Sequence, residues 1–162
     1  MWRWWLTLPA PACPAQPARP CTSHPCWIDR RLGIPLIFGA DVWHGMWTVF
    51  PMPLGEAASW ELELARQTAR ATAVEATASG IFWTYSPMVD VARDQRWGRV
   101  AEGAGEDPFL GAAFARARVQ GFQGDHGLAA NDSMIACLKH YAGYGGVSNP
   151  HLSSPNPHPV LT

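Results

Sequence analysis

Asp41 closes the apolar run "LGIPLIFGAD", Asp90 closes "GIFWTYSPMVD", and Lys139 with His140 stands toward the end of "SMIACLKHYAGYG". A carboxylate accepts hydrogen bonds, an ammonium donates them, and an imidazole does either. Such a set can hold a ligand rich in hydroxyls, or move protons and form covalent intermediates. A lysine at the end of an apolar run is costly to bury without a partner or a purpose. Two purposes fit Lys139: a Schiff base with a carbonyl substrate, or a permanent cation that holds hydroxyls or a carboxylate.

The stretch "DQRWGRVAEGAGEDP", residues 94–108, is too polar for a core and too specific for a linker. Arg99 in it can fork onto a ligand, or tie down the loop through Glu102 or Glu106, and spacing alone favours neither. Arg93, Asp94 and Arg96 read as solvated loop charges. Glu106 and Asp107 lie where a helix begins, with Asp107 as N-cap and Pro108 at the first helical position. His44, in "GADVWHG", reads as a structural residue that hydrogen-bonds its own turn.

The elements that must position these groups alternate. The three apolar runs have the length and boundaries of buried strands. Their polar ends fall about fifty residues apart. Between the first two, Ser59 can cap "WELELARQTARATAVEATAS", whose face is Leu62, Ala65, Ala69, Thr72 and Ala76, with Gly80 suited to end it. Between the second and third, Leu110, Ala113, Phe114 and Ala117 form the stripe of another helix, which Gly121 can end. Strand and helix in alternation predict an α/β fold with a parallel sheet and right-handed crossovers. Such folds place their chemistry at the C-terminal ends of the strands. Asp41, Asp90, Lys139 and His140 are therefore expected on one rim, with the 94–108 loop facing it.

Composition excludes several classes. The chain has 162 residues, 48% of them apolar, and a net charge of -1. That charge gives no electrostatic footprint for nucleic acid, and no run has the length of a membrane span. "GAGED" lacks the spacing and the lysine of a phosphate loop. Nine tryptophans leave room for stacking on sugar faces as well as for core filling. Cys13, Cys21, Cys26 and Cys137 match no zinc or disulfide pattern, and Cys137 reads as a buried small hydrophobe. Residues 1–26 are a Pro-rich stretch expected to be disordered, with an apolar part too short for a convincing signal peptide. Residues 148–162 read as a disordered or out-of-family tail.

"RLGIPLIFGADVWHG", "TVFPMPLGEAAS", "WTYSPMVDVARDQRWGRVAEGAGEDPFL" and "ACLKHYAGYG" resemble successive motifs of the glycoside hydrolase family 3 β-glucosidases. The resemblance implies that residues 27–147 are the N-terminal part of that family's (β/α)8 TIM barrel. About three βα units are present, and a whole barrel takes about 250 residues, so the barrel is incomplete. It implies a fragment of a retaining, exo-acting hydrolase of β-glucosides, acting on a β-glucoside or oligosaccharide without metal or organic cofactor. Family relatives are often periplasmic or secreted.

The family's sugar-holding roles fall on Asp41, Arg99, Lys139 and His140, with Glu102 in support. Trp47 stands where many relatives carry an arginine, and is expected to support the site by stacking. The family's nucleophile, an Asp in an "SD" motif, and its acid/base are expected beyond Thr162, so no catalytic residue is expected in the chain. Nothing in the sequence sets the pKa values of Asp41 and Asp90 apart, as an acid/base pair requires. The competing reading is a non-catalytic carbohydrate-binding or scaffolding remnant.

Overall fold

The structure, a computed structural model, describes residues 28–29 and 34–146. The Pro-rich stretch, the expected tail and three of the four cysteines lie outside them. The chain divides into two compact units, Met1–Leu36 and Ile37–Thr162. In the first, β1 (Ile28–Asp29) pairs antiparallel with β2 (Ile34–Pro35). The second carries the site.

Its sheet is short and parallel. β3 (Gly39–Ala40) pairs with β4 (Trp83–Thr84), and Trp83 in turn bridges to Ile135. The three apolar runs therefore lie side by side in sequence order, as their pattern predicts. Regular ladders, however, cover only two residues each, well short of the runs. Farther along, Met88 bridges to Lys139. The register between the second and third segments thus shifts by one residue, from 83 with 135 to 88 with 139, across the stretch that holds the cis Ser86–Pro87 peptide. A one-residue bulge changes which way side chains beyond it are aimed.

Two helices cover one face of this sheet: α2 (Leu62–Ala78) and α3 (Pro108–Gln123). A short helix, α1 (Pro53–Ala57), precedes them. α2 buries Ala65, Ala69, Ala73 and Ala76 completely, and these pack with Val42, Phe114, Ala117, Phe122 and Met134 in two apolar clusters. Its buried threonines cost little, because Thr72 and Thr77 each donate to the carbonyl four residues back, at 2.8 Å. Leu62, expected on this face, is 38% exposed because it sits at the very start of the helix.

The helix ends follow expectation in part. Asp107 caps α3, accepting from Phe109 N–H at 3.0 Å and Leu110 N–H at 3.4 Å, and Pro108 is its first residue. Gly80, at φ 83°, follows α2. Ser59 does not cap α2. Its hydroxyl accepts from Glu61 N–H within the α1–α2 turn and donates to Glu56 O, and α2 starts only at Leu62. Nor does Gly121 end α3. The helix runs on to Gln123, and Gly124, at φ 68°, ends it.

Gly121 instead lies where α3 crosses α2: a Cβ there would stand 2.3 Å from Arg66 O and 2.6 Å from Ala69 Cβ. The small residue is needed for close approach, not for termination. Gly121→Ala should therefore lower the urea midpoint, at a cost of about 1–3 kcal/mol. Gly111→Ala, whose Cβ meets nothing within 4 Å, should leave it unchanged or raise it by up to about 1 kcal/mol. Equal midpoints for the two variants would refute the crossing.

Candidate functional site

Asp41 leaves the end of β3 and enters a turn, residues 41–50, held from three sides. Within it, Phe50 N–H donates to His44 O at 2.8 Å, and His44 Nδ1 lies 3.2 Å from Phe50 O, the structural role expected of His44. From α2, the Glu75 carboxylate accepts from Trp47 N–H, Thr48 N–H and the Thr48 hydroxyl, the last at 2.6 Å. Burial pushes Glu75 up, and these donors more than offset it, leaving its pKa below the ordinary value. From α3, Arg118 donates to Trp43 O. Arg118 also pairs at 2.5 Å with Glu56 of α1, both side chains at most 2% exposed, and Glu56 accepts from Thr68 of α2 as well.

Lys139 reaches Asp41 across the sheet. Its ammonium donates to Asp41 Oδ2 at 2.7 Å, with the lysine side chain 13% exposed and the carboxylate 41% exposed. The Lys139–His140 peptide is cis. His140 Nδ1 lies 2.9 Å from Asp90 Oδ2, whose carboxylate is 3% exposed. The expected rim thus forms two linked pairs: Asp41 with Lys139, and Asp90 with His140. Consecutive strand residues point to opposite faces. These two instead reach neighbouring carboxylates, just beyond the register shift.

The 94–108 loop delivers Arg99 to this rim. Asp94 accepts from Arg96 N–H and starts a tight turn at Gln95–Trp97, and a second turn covers Val100–Glu102. Ala92 N–H donates to Gly105 O at 3.0 Å and closes the loop's base. Asp94 and Arg96 pair with each other at the surface, and the guanidinium holds the Asp94 carboxyl down at about 2. Arg99 forks onto Glu102, Nε to Oε1 at 2.8 Å and Nη2 to Oε2 at 2.7 Å. Its remaining Nη1 points to His140 Nε2 at 3.4 Å and to the Tyr144 hydroxyl at 3.3 Å. Of the two sequence readings of Arg99, the loop tie is present and runs through Glu102, while Nη1 faces the rim.

The Glu102 carboxylate, and after it the Tyr144 hydroxyl, hold the Arg99 guanidinium above its ordinary pKa. In return Arg99 holds Glu102 below the usual carboxylate range, against burial and with help from Lys139 and His140. Tyr144 was not singled out by the sequence. It packs edge-on against Trp97 and His140, with ring centroids 5.3 and 4.6 Å away, and lies under Arg99. An aromatic next to two glycines in "YAGYGG" is the signal that could have found it.

Trp47 donates its indole N–H to Ser79 Oγ at the end of α2, at 3.0 Å, and is 76% exposed. Glu75 and Ser79 offer it a carboxylate and a hydroxyl that the local sequence does not announce. Cys137 is half-buried rather than buried. Among the described residues, no group of three or more His, Cys, Asp or Glu is placed to hold a metal ion, and no helix is long and apolar enough to cross a membrane.

What remains is a patch of alternating donors and acceptors. The Lys139 ammonium has three N–H bonds and the Asp41 carboxylate two oxygens, each only partly used by the other. The C-terminal ends of parallel strands are where α/β folds of the small-molecule-binding class commonly place their sites.

Comparison with known proteins narrows that class. The family model described as Glycosyl hydrolase family 3 N terminal domain matches residues 24–159, and the chain belongs to this family. It is 46% identical over 117 residues to a periplasmic beta-glucosidase of Salmonella typhimurium, covering 72% of this chain and 15% of that protein. It is 39% identical to a beta-xylosidase of Formosa agariphila, covering 72% of this chain and 18% of that protein. Among solved structures, a beta-glucosidase from Listeria innocua in complex with glucose superimposes with a TM-score of 0.68 at 52% identity, covering 71% of this chain and 16% of that one. The chain thus spans less than a fifth of the length of these relatives. Their N-terminal domain is a TIM barrel.

The Arg99–Glu102 fork gives a prediction with a definite sign. A carboxyl whose pKa is depressed on folding contributes stability above its unfolded value, and that contribution is lost as pH falls through the folded value. NMR titration of the Glu102 carboxyl carbon should show a midpoint below the ordinary value of about 4.3, and Arg99→Gln should return it toward that value. A midpoint at or above the ordinary one would remove the fork.

Proposed function

We propose that this chain supplies the sugar-holding half of a β-glucosidase site, in a protein that removes glucose from the non-reducing ends of β-glucosides. The chain would form the first three βα units of a TIM barrel, with the rim side chains at its mouth. The observation that carries this reading is the convergence of Asp41, Lys139, Arg99 and His140, drawn from two separate strand ends and one loop. The family membership of the chain and the glucose complex of the Listeria innocua relative support it.

A terminal glucose presents neighbouring hydroxyls, each able to donate one hydrogen bond and accept others. The rim answers with a carboxylate that accepts, an ammonium and a guanidinium that donate, and an imidazole. Because Asp41 and Lys139 already pair, neither waits alone as an isolated charge, and sugar hydroxyls can insert into bonds that exist. Glu102 keeps two of the three Arg99 nitrogens engaged and so aims the third, Nη1.

Retaining hydrolysis needs a carboxylate nucleophile and a carboxylic acid about 5 to 5.5 Å apart. Asp41 is engaged by Lys139, and Asp90 by His140. Each carboxylate thus already has a partner within the rim. The nucleophile and the acid/base are assigned to residues other than these 162. The substrate class is a β-glucoside or oligosaccharide, with no organic cofactor or metal. The periplasmic relatives named for Salmonella typhimurium and Dickeya chrysanthemi support an extracytoplasmic compartment.

Calorimetric titration of the purified chain with glucose should give saturable binding. Lys139→Ala should weaken it on the order of tenfold to a hundredfold, the loss expected for hydrogen bonds to a charged group. Arg96→Ala should leave it unchanged. An aryl β-glucoside should not be hydrolysed by the chain alone. No saturable binding, or full affinity in Lys139→Ala, would contradict the sugar assignment. Turnover by the chain alone would contradict the division between holding and catalysis.

A further inference from the structure

His140 can offer a ligand either a donor or an acceptor, and its second nitrogen decides which. Nδ1 lies 2.9 Å from Asp90 Oδ2. The Asp90 carboxylate is 3% exposed, and among the described residues its side-chain partner is the His140 imidazole. An ionised carboxylate only accepts, so the nitrogen facing it must carry the proton. On the other side of the ring, Nε2 faces Arg99 Nη1 at 3.4 Å. A guanidinium only donates, so this contact is a hydrogen bond only if Nε2 is unprotonated. The Tyr144 ring packs edge-on against the imidazole, with centroids 4.6 Å apart, and limits its rotation. Both neighbours of His140 therefore select the same tautomer.

We propose that Asp90 is a positioning residue that holds His140 in the Nδ1–H tautomer, making Nε2 a hydrogen-bond acceptor at the rim. Second neighbours of this kind commonly fix which imidazole nitrogen is free to act. The consequence for ligand choice rests on the function proposed above; the tautomer itself does not. At 3.4 Å the Arg99 contact is long for an N–H···N bond, and a hydroxyl that donates can take the Nε2 lone pair in its place. His140 would then require a sugar hydroxyl as donor, where Lys139 and Arg99 require hydroxyls as acceptors. A sugar with fluorine in place of the hydroxyl facing His140 keeps an acceptor and loses the donor, so it should bind roughly tenfold more weakly than glucose.

The test is nitrogen NMR of the full chain, isotope-labelled at histidine, near neutral pH, with the His140 signals assigned by their absence in His140→Gln. The expected spectrum has a protonated Nδ1 and an unprotonated Nε2. In Asp90→Ala that signature should give way to Nε2–H or to a mixture of tautomers. An Nε2–H ring or a doubly protonated ring in the unmodified chain would overturn the proposal, as would an unchanged signature in Asp90→Ala. If Asp90→Ala does not fold, the spectrum of the unmodified chain decides alone. An Nδ1–H signature in a chain that fails to bind glucose would uphold the role of Asp90 and refute only the sugar assignment.

Discussion

The buried ion pair between Arg118 and Glu56 holds together the parts on which the site depends. It joins α3 to α1, and Glu56 takes a hydroxyl from Thr68 of α2 while Arg118 donates to the Trp43 carbonyl of the turn that begins at Asp41. Burial pushes the Arg118 pKa down and the Glu56 carboxylate pushes it back up. Phe114 and Phe122 lie under the guanidinium, 5.8 and 5.3 Å away, and close it off from water. Removing one partner of such a pair typically costs about 3–5 kcal/mol, because it strands the other charge in a dry interior. Here it would also release three helices and a turn from one another. The pair is thus a constraint on geometry more than a source of net stability.

The same logic, at lower cost, repeats at the rim. Lys139 with Asp41, His140 with Asp90, and Arg99 with Glu102 are each held by a partner of complementary chemistry, and most are partly open to water. Exposed pairs contribute little to stability. Their value lies in direction: each side chain is turned toward one place, an arrangement that would lower the ordering cost of binding a ligand. Lys139 and His140, consecutive in the chain, each meet a carboxylate there, just beyond a one-residue shift in strand register. Glu75 does similar work behind it, fixing Trp47 and Thr48 to α2 and so the turn that carries Asp41.

Much of this was legible in the sequence where a residue type can do only one thing in its context. Asp107 before Pro108 reads as a helix start and is one. Asp41 and Asp90 end apolar runs, and Lys139 and His140 of a third run meet them one to one. Other features depended on neighbours that the chain brings from far away. Gly121 looks like a terminator until Arg66 and Ala69 are seen against it. The partners of Trp47, Glu75 and Ser79, come from α2 and its end, 28 and 32 residues away. Ser59 looks like a cap, but the chain spends its hydroxyl on the preceding turn. Glu56 and Arg118 are two opposite charges, one in α1 and one in α3, 62 residues apart. Pairing them required the tertiary contact.

The central claim is that Asp41, Arg99, Lys139 and His140 form one prearranged sugar site. The most direct test is a crystal structure of the chain soaked with glucose. Glucose hydroxyls should lie within hydrogen-bond distance of all four side chains, with the Arg99–Glu102 fork and the Asp90–His140 contact intact. Glucose seated against Trp47 instead, or a rim that rearranges to admit it, would contradict the account.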